Sequence, residues 1–253
     1  LKSPSNTAVP RRRKSTAHQP SQADRAYTQI RNAILKGNLP VGSTLSRRKL
    51  AAEFSTSLPP VTEALLRLES EGLVESRPRV GTRVRIPTRQ EVEDRSLLRE
   101  ALETQAARLF AERASASQKR ELRRMGRNVD QLYAACETGN RDRDLLFSVN
   151  TCHMELHLWI ADCARCPPLR DAIEKEQVLI FNWLYDTAVQ RRTLASDYHA
   201  RLAAALAGGS PTAAAAAMRQ HIRRGLHEVV AALEGAPDIG ASWRTKGNSP
   251  AIK

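Results

Sequence analysis

The stretch His153-Met154-Glu155-Leu156-His157, inside NTCHMELHLWIADCARCPPL, sets two imidazoles four residues apart. In a helix that spacing puts both on one face, and neutral imidazole is a good ligand for Zn, Ni, Cu or Fe. On these residues alone three readings stay open: the zinc site of a hydrolase, a metal site with another purpose, or a pair of buried core histidines. The hydrolase pattern H-E-x-x-H needs its glutamate directly after the first histidine, where the carboxylate reaches metal-bound water. Here Met154 follows His153, and Glu155 lies about 200° round the helix from it. No other residue supplies an obvious base, so the residues argue for a sensor rather than an enzyme.

The cysteines are Cys136, Cys152, Cys163 and Cys166. The C-x-x-C of Cys163 and Cys166 has no second copy and no βαβ pattern around it, and it reads as the end of a helix before Pro167-Pro168. No secretory h-region and no run of 18 apolar residues is visible. A soluble, cytoplasmic protein with free thiols and no membrane partner is therefore expected.

The elements that must position the histidines follow from charge and periodicity. Residues 1–90 carry 17 Lys/Arg against 6 Asp/Glu, whereas residues 91–253 carry 23 against 21. That asymmetry predicts a polyanion-binding N-terminal module joined to a module with a different task. Residues 1–23 are polar, basic and Pro-containing, a disordered arm. From Asp24 the pattern predicts a helix with Tyr27, Ile30 and Ile34 inward. A short helix capped by Ser46 follows, then a third beginning at Pro60, and finally two alternating strands around RPRVG. Three helices and a β-hairpin make the winged helix-turn-helix plan, expected over 24–87, whose third helix enters the DNA major groove. Arginines on the hairpin, Arg77, Arg79, Arg83 and Arg85, suit phosphate contact. A linker over 87–94 should lead into at least six amphipathic helices and no strand between 94 and 234, followed by a loose tail over 235–253. The fold class is thus mainly α.

IRNAILKGNLPVGSTLSRRKLAAEFSTSLPPVTEALLRLESEGLVESRPRVGTRV resembles the DNA-binding domain of GntR-type bacterial transcription regulators. The G-x-L-x-x-G-x-x-L turn, the Leu-Ala of the second helix, P-V-x-E-A-L and E-G-L-V come in order. The resemblance implies operator contacts from Arg48, with Arg47 beside it, and from Gly81 in the wing. Leu58 and Thr62 stand where the family commonly has arginine. Thr56, Ser57 and Pro59 just before the third helix, Thr62 on it, and Arg79 and Arg83 on the wing complete the expected DNA-binding set.

The helical part is similar to the FCD domain of the FadR-like branch of that family. That likeness implies a divalent metal, with Zn or Ni best suited to the donors, held by an Asp and three His. His157, His199 and His221 fall on the His positions, and His153 replaces the Asp, giving a four-histidine site. It further implies a small carboxylate effector, with Arg99, Asn150, Asn182 and Trp183 as candidate pocket residues. Arg99 could instead pair with Glu103, Asn150 could make a structural polar contact, and Trp183 could pack in the core. The expectation is a homodimeric repressor whose operator affinity depends on this site. A regulator that answers to the metal itself, one with an apolar ligand and no metal, and a metal-dependent hydrolase remain as alternatives.

Overall fold

The computed structural model of the chain describes residues 20–138, 143–176 and 195–234. Asn182, Trp183, the arm over 1–19 and the tail over 235–253 lie outside the described residues.

Helix α1 (Gln22–Leu35) starts at a capping box in which Ser21 and Asp24 satisfy each other's backbone N–H. It packs on α3 (Leu58–Ser70) through Ile30 and Ile34 against Val61, Leu65 and Leu68. Asp24 also accepts from Arg67 at 2.7 Å, and the Tyr27 hydroxyl donates to Glu71, so polar bonds fix the same pair of helices. Between them runs α2 (Arg47–Glu53), whose N-cap Ser46 accepts from Lys49 N. Helix α3 starts at Leu58, two residues earlier than Pro60 suggests, because prolines in a first turn lack only N–H groups that have no intrahelical partner there.

The expected hairpin is the larger part of a three-stranded antiparallel sheet. β2 (Val74–Arg77) pairs with β3 (Gly81–Val84), and β1 (Thr44–Leu45) pairs with the other edge of β3. The extra strand forms because the turn at Gly42 returns the chain alongside Val84, exchanging Gly42 N with Val84 O and Val84 N with Ser43 O, each at 3.0 Å.

The 87–94 linker is absent as such. Thr88 and Glu91 form a capping box that starts α4 (Arg89–Arg113) at once. Val92 of its first turns is fully buried in the core of the winged helix. The helical body then comprises α5 (Ala116–Thr138), α6 (Arg143–Cys163), the helical residues 167–176 (α7), α8 (Tyr198–Gly208) and α9 (Pro211–Glu234). Among the described residues of this body there is no strand. Its main core joins Phe110 of α4, Leu122 of α5, Leu156 and Ile160 of α6, Leu206 of α8 and Met218 and Ile222 of α9. Helix α9 continues past this core, and Leu226, Val229 and Val230 pack into the core of the winged helix. No helix among the described residues is long and apolar enough to cross a membrane.

Helix α8 sits against α5 at Gly126, where a Cβ would meet the carbonyl oxygen of His199 at 2.7 Å and Ala203 Cβ at 3.0 Å. Gly126→Ala should therefore push α8 outward. The cost expected is about 1–3 kcal/mol in urea or thermal unfolding; an unchanged midpoint would show that α8 yields freely.

Candidate functional site

His153 and His157 project from consecutive turns of α6, and His221 reaches them from α9. Their Nε2 atoms form a near-equilateral triangle, with separations of 3.0 Å (His153–His157), 3.1 Å (His157–His221) and 3.2 Å (His153–His221). One proton can serve only one N···N pair, so three ring nitrogens facing one another cannot all be satisfied from within the trio. Nitrogen ligands on a four- or six-coordinate ion at ~2.0–2.1 Å lie ~2.9–3.4 Å apart, and the triangle matches that spacing. The three are the cluster among the described residues able to hold a metal ion.

His199, expected as the fourth ligand, is brought against the trio but not into the triangle. Its ring centroid is 4.7 Å from that of His153 and 5.6 Å from that of His221. Two interactions orient it. The Nδ1–H donates to Asp130 at 2.8 Å, and the ring stacks on Tyr133 at 5.3 Å with 4° between planes. Asp130, on α5, also accepts from the backbone N–H of His199 and Ala200 at 2.9 and 2.8 Å. It thereby caps the start of α8 from outside, where Asp197 makes no side-chain cap bond.

A second buried carboxylate, Glu103 of α4, holds His157. It is 2% exposed and accepts from His157 Nδ1–H, which leaves the Nε2 lone pair directed at the other two rings. Its other oxygen accepts from Arg99 Nε at 2.6 Å. Burial opposes ionisation of Glu103, but the Arg99 guanidinium and the His157 imidazole more than offset it and hold its carboxyl down at about 2. Arg99, a candidate effector contact, is therefore engaged by Glu103, four residues along the same helix. Asn150, three residues before His153 on α6, is 3% exposed, and its Nδ2 has no hydrogen-bond partner among the described residues. Tyr198 flanks the site too, its ring stacked on His221 at 5.3 Å and edge-on to His199. Sequence reasoning missed Glu103, Asp130 and Tyr198 as site residues. The available signal was an acid on the inward face of each of two helices. Glu155 is exposed, away from the trio, and His227 lies at the surface.

On the winged helix, Arg47, Arg77, Arg79 and Gly81 line one cavity of about 610 Å³ between the start of α2 and the wing tip. Arg48 is exposed beside it. Arg79 and Gly81 both have positive φ, +64° and +114°, as the tight wing turn requires. Ser57, exposed at the start of α3, makes no cap hydrogen bond with its side chain, and Pro59 is exposed next to it. Three of the expected contacts are engaged or buried within the chain itself. Arg83 is only 6% exposed because its guanidinium lies on Glu75 across the hairpin at 2.6–2.7 Å. The Thr56 hydroxyl oxygen is buried rather than presented. The Thr62 hydroxyl donates to Leu58 O at 3.0 Å within its own helix. Arg85, likewise, is paired with Glu91.

Comparison with known proteins bears on both regions. Residues 22–84 match the family model for bacterial regulatory proteins of the gntR family, and residues 96–224 match that of the FCD domain. Over 88 residues the chain is 40% identical to the Probable D-xylose utilization operon transcriptional repressor of Paenarthrobacter nicotinovorans, covering 33% of this chain and 39% of that protein. Over 137 residues it is 30% identical to the HTH-type transcriptional repressor RspR of Escherichia coli K12, covering 54% and 58% respectively. The chain thus spans less than two thirds of the length of these curated relatives. In fold it is similar to a GntR transcriptional regulator from Rhodococcus sp. RHA1 (TM-score 0.70, 19% identity, 85% of this chain and 99% of that one). It is similar also to E. coli McbR/YncC (TM-score 0.67, 22% identity, 83% and 97%).

Glu103→Gln keeps the shape of the outer partner but removes its charge. Metal affinity, measured by competition against a chromophoric chelator, should fall ~10–100-fold. His157→Ala should abolish uptake, and equal metal content in both variants and wild type would exclude the triangle as a metal site.

Proposed function

This chain belongs to the GntR family of bacterial regulatory proteins and carries that family's FCD domain, and from that premise we propose that it is a DNA-binding transcriptional repressor, not an enzyme, whose helical domain binds a divalent metal and a small carboxylate effector. One observation carries the reading: three imidazole Nε2 atoms converge at 3.0–3.2 Å inside a helical body whose helices run on into the winged helix.

On the DNA side, the exposed guanidinium groups of Arg47, Arg48 and Arg79 are the phosphate and base-edge contacts. Ser57 and Pro59 stand at the end of α3 that enters the major groove. Two copies would meet a palindrome with half-sites about one helical turn or less apart. Arg83 supports the wing through Glu75 rather than touching DNA.

On the sensing side, His153, His157 and His221 are the residues that would hold the ion, and nitrogen donors suit Zn or Ni. When bound, the metal supplies a Lewis-acid position for a carboxylate oxygen. His153 in place of a carboxylate leaves the innermost shell without negative charge, which favours an anionic ligand. The buried amide of Asn150 is the donor available beside it. Change at this site reaches the winged helix by two helices. Glu103 ties His157 to α4, and Val92 of α4 enters the winged-helix core; His221 lies on α9, whose Val229 enters the same core. Glu100 clamps the two helices together through Arg223 at 2.8 and 3.0 Å and Arg219 at 3.2 Å. Coupling free energies in such systems are typically ~1–3 kcal/mol.

A second reading, in which the metal alone is the signal, is favoured by the engagement of Arg99 with Glu103, which removes one cation from a ligand's reach.

Selection from a random pool of duplex DNA tests the proposal. An enriched palindrome is expected, bound with affinity that falls steeply with salt as phosphate neutralisation releases counterions. No enrichment, or binding indifferent to salt, would sink it. Arg48→Ala should weaken binding to the selected site by ~1–3 kcal/mol, whereas Arg83→Ala should lower the stability of the fold first. Titrating the complex with Zn or Ni, then with a panel of sugar acids and dicarboxylates, separates the two readings. Release by metal alone selects the second.

A further inference from the structure

We propose that α3 selects thymine in the operator, with Leu58 and Leu66 packing against the C5-methyl groups that thymine presents in the major groove. The proposal rests on the DNA-binding reading above and adds to it the base that the third helix reads.

Two large apolar side chains of α3 stand in solvent, Leu58 at 45% and Leu66 at 60% exposed. The buried face of the helix is Val61, Ala64, Leu65 and Leu68. Leu66 lies on the side opposite that face, Pro59 is exposed on the same side two turns earlier, and Leu58 opens the helix beside it. Leucines left in water along a helix whose core face is already complete mark a contact surface.

The polar groups of α3 are spent within the chain. Its one cation, Arg67, donates to Asp24 at 2.7 Å and lies over the Tyr27 ring, 4.1 Å from the centroid. The Thr62 hydroxyl donates to Leu58 O at 3.0 Å, and the Ser70 hydroxyl to Arg67 O at 2.7 Å. The second and third residues of the helix, Pro59 and Pro60, have no N–H, so the first turn lacks donors that helix starts ordinarily offer a phosphate. Glu63, exposed on the outward side, is an acceptor only.

This inventory excludes two of the usual readouts. Guanine shows the major groove two acceptors and is read by a cation; adenine pairs an acceptor with a donor and is read by an amide. Among the described residues of α3 no free side-chain donor remains for either. The thymine methyl is the apolar group on the major-groove edges, and two leucines, a proline and the Thr62 methyl are the side chains suited to it. Phosphate neutralisation falls to Arg47 and Arg48 of α2 and Arg79 of the wing, all exposed on the same domain. An apolar strip accompanied by guanidinium groups fits a partner that is anionic at its rims with methyl groups between them. The major groove over thymines is such a partner.

The test alters the DNA first and leaves the protein untouched. A site enriched from random duplexes is resynthesised with deoxyuridine replacing one thymidine at a time, which removes the methyl and keeps every base-pairing bond. Affinities of the full-length wild type, Leu58→Ala and Leu66→Ala are measured by fluorescence anisotropy at one salt concentration, with circular dichroism as the folding control. At one or more thymines of each half-site, uracil should weaken wild type roughly three- to fivefold, the effect of burying one methyl group. That penalty should vanish in the variant whose leucine touches the methyl and persist in the other. Leu58→Arg should change the base preferred at its position from thymine to guanine. An enriched site that lacks thymine, or that wild type binds equally with uracil at every position, overturns the thymine readout while DNA binding stands. A uracil penalty undiminished in both leucine variants overturns the assignment to Leu58 and Leu66. Failure to enrich any duplex overturns the DNA-binding reading itself, and this inference with it.

Discussion

A carboxylate leaves water only where donors or cations replace its hydration, and two buried carboxylates set the arrangement of the helical body. Glu103 lies between Arg99 and His157; Asp130 lies between the His199 ring and the first backbone N–H groups of α8. Each acid does two things at once. It fixes which nitrogen of an imidazole carries the proton, and it ties together helices that are distant in sequence. Removing either would leave a helix contact and a ring orientation undetermined together.

The triangle of nitrogens follows from these constraints. A ring whose Nδ1 is committed to a carboxylate turns its Nε2 the opposite way, and α6 supplies two rings on one face for His221 to meet. His153 keeps the helical spacing of the pair while removing the acid that the FCD resemblance places there. The negative charge is instead one shell further out, on Glu103, where Arg99 already balances it. The cluster is therefore built from imidazoles beside a buried Arg99–Glu103 pair.

Much of this was legible in the chain. Ordered short motifs identified the winged helix, and the 3.6-residue period identified the helices. The spacing of His153, His157, His199 and His221 fits the family's ligand positions, and the structure draws the Nε2 atoms of three of them together. Contacts remote in sequence were not legible. Nothing local distinguishes Glu103 from any other acid on an amphipathic helix until α6 is placed against it. His199 fits the pattern of a ligand as well as His221 does, and its Nδ1, like that of His157, is held by a buried carboxylate that no local pattern announces. Arg83 reads as a free wing cation until strand pairing sets Glu75 opposite it. The supposed linker carried its own contrary signal, Thr88 three residues ahead of Glu91, which is the signature of a helix start. The pocket roles of Asn182 and Trp183 fall outside the described residues.

Helix α9 belongs to two cores, and this has a consequence for how the protein is made. The hydrophobic interior of the winged helix includes Val92 and, from the far end of the molecule, Val229. A ribosome delivers the winged-helix segment early and Val229 only after the rest of the helical body has emerged. The winged helix can acquire its secondary structure as it leaves the ribosome, but its interior is closed only when α9 arrives. Until then the patch that receives Leu226, Val229 and Val230 is bare apolar surface. Completion of the winged-helix core thus waits on the last helix of the helical body.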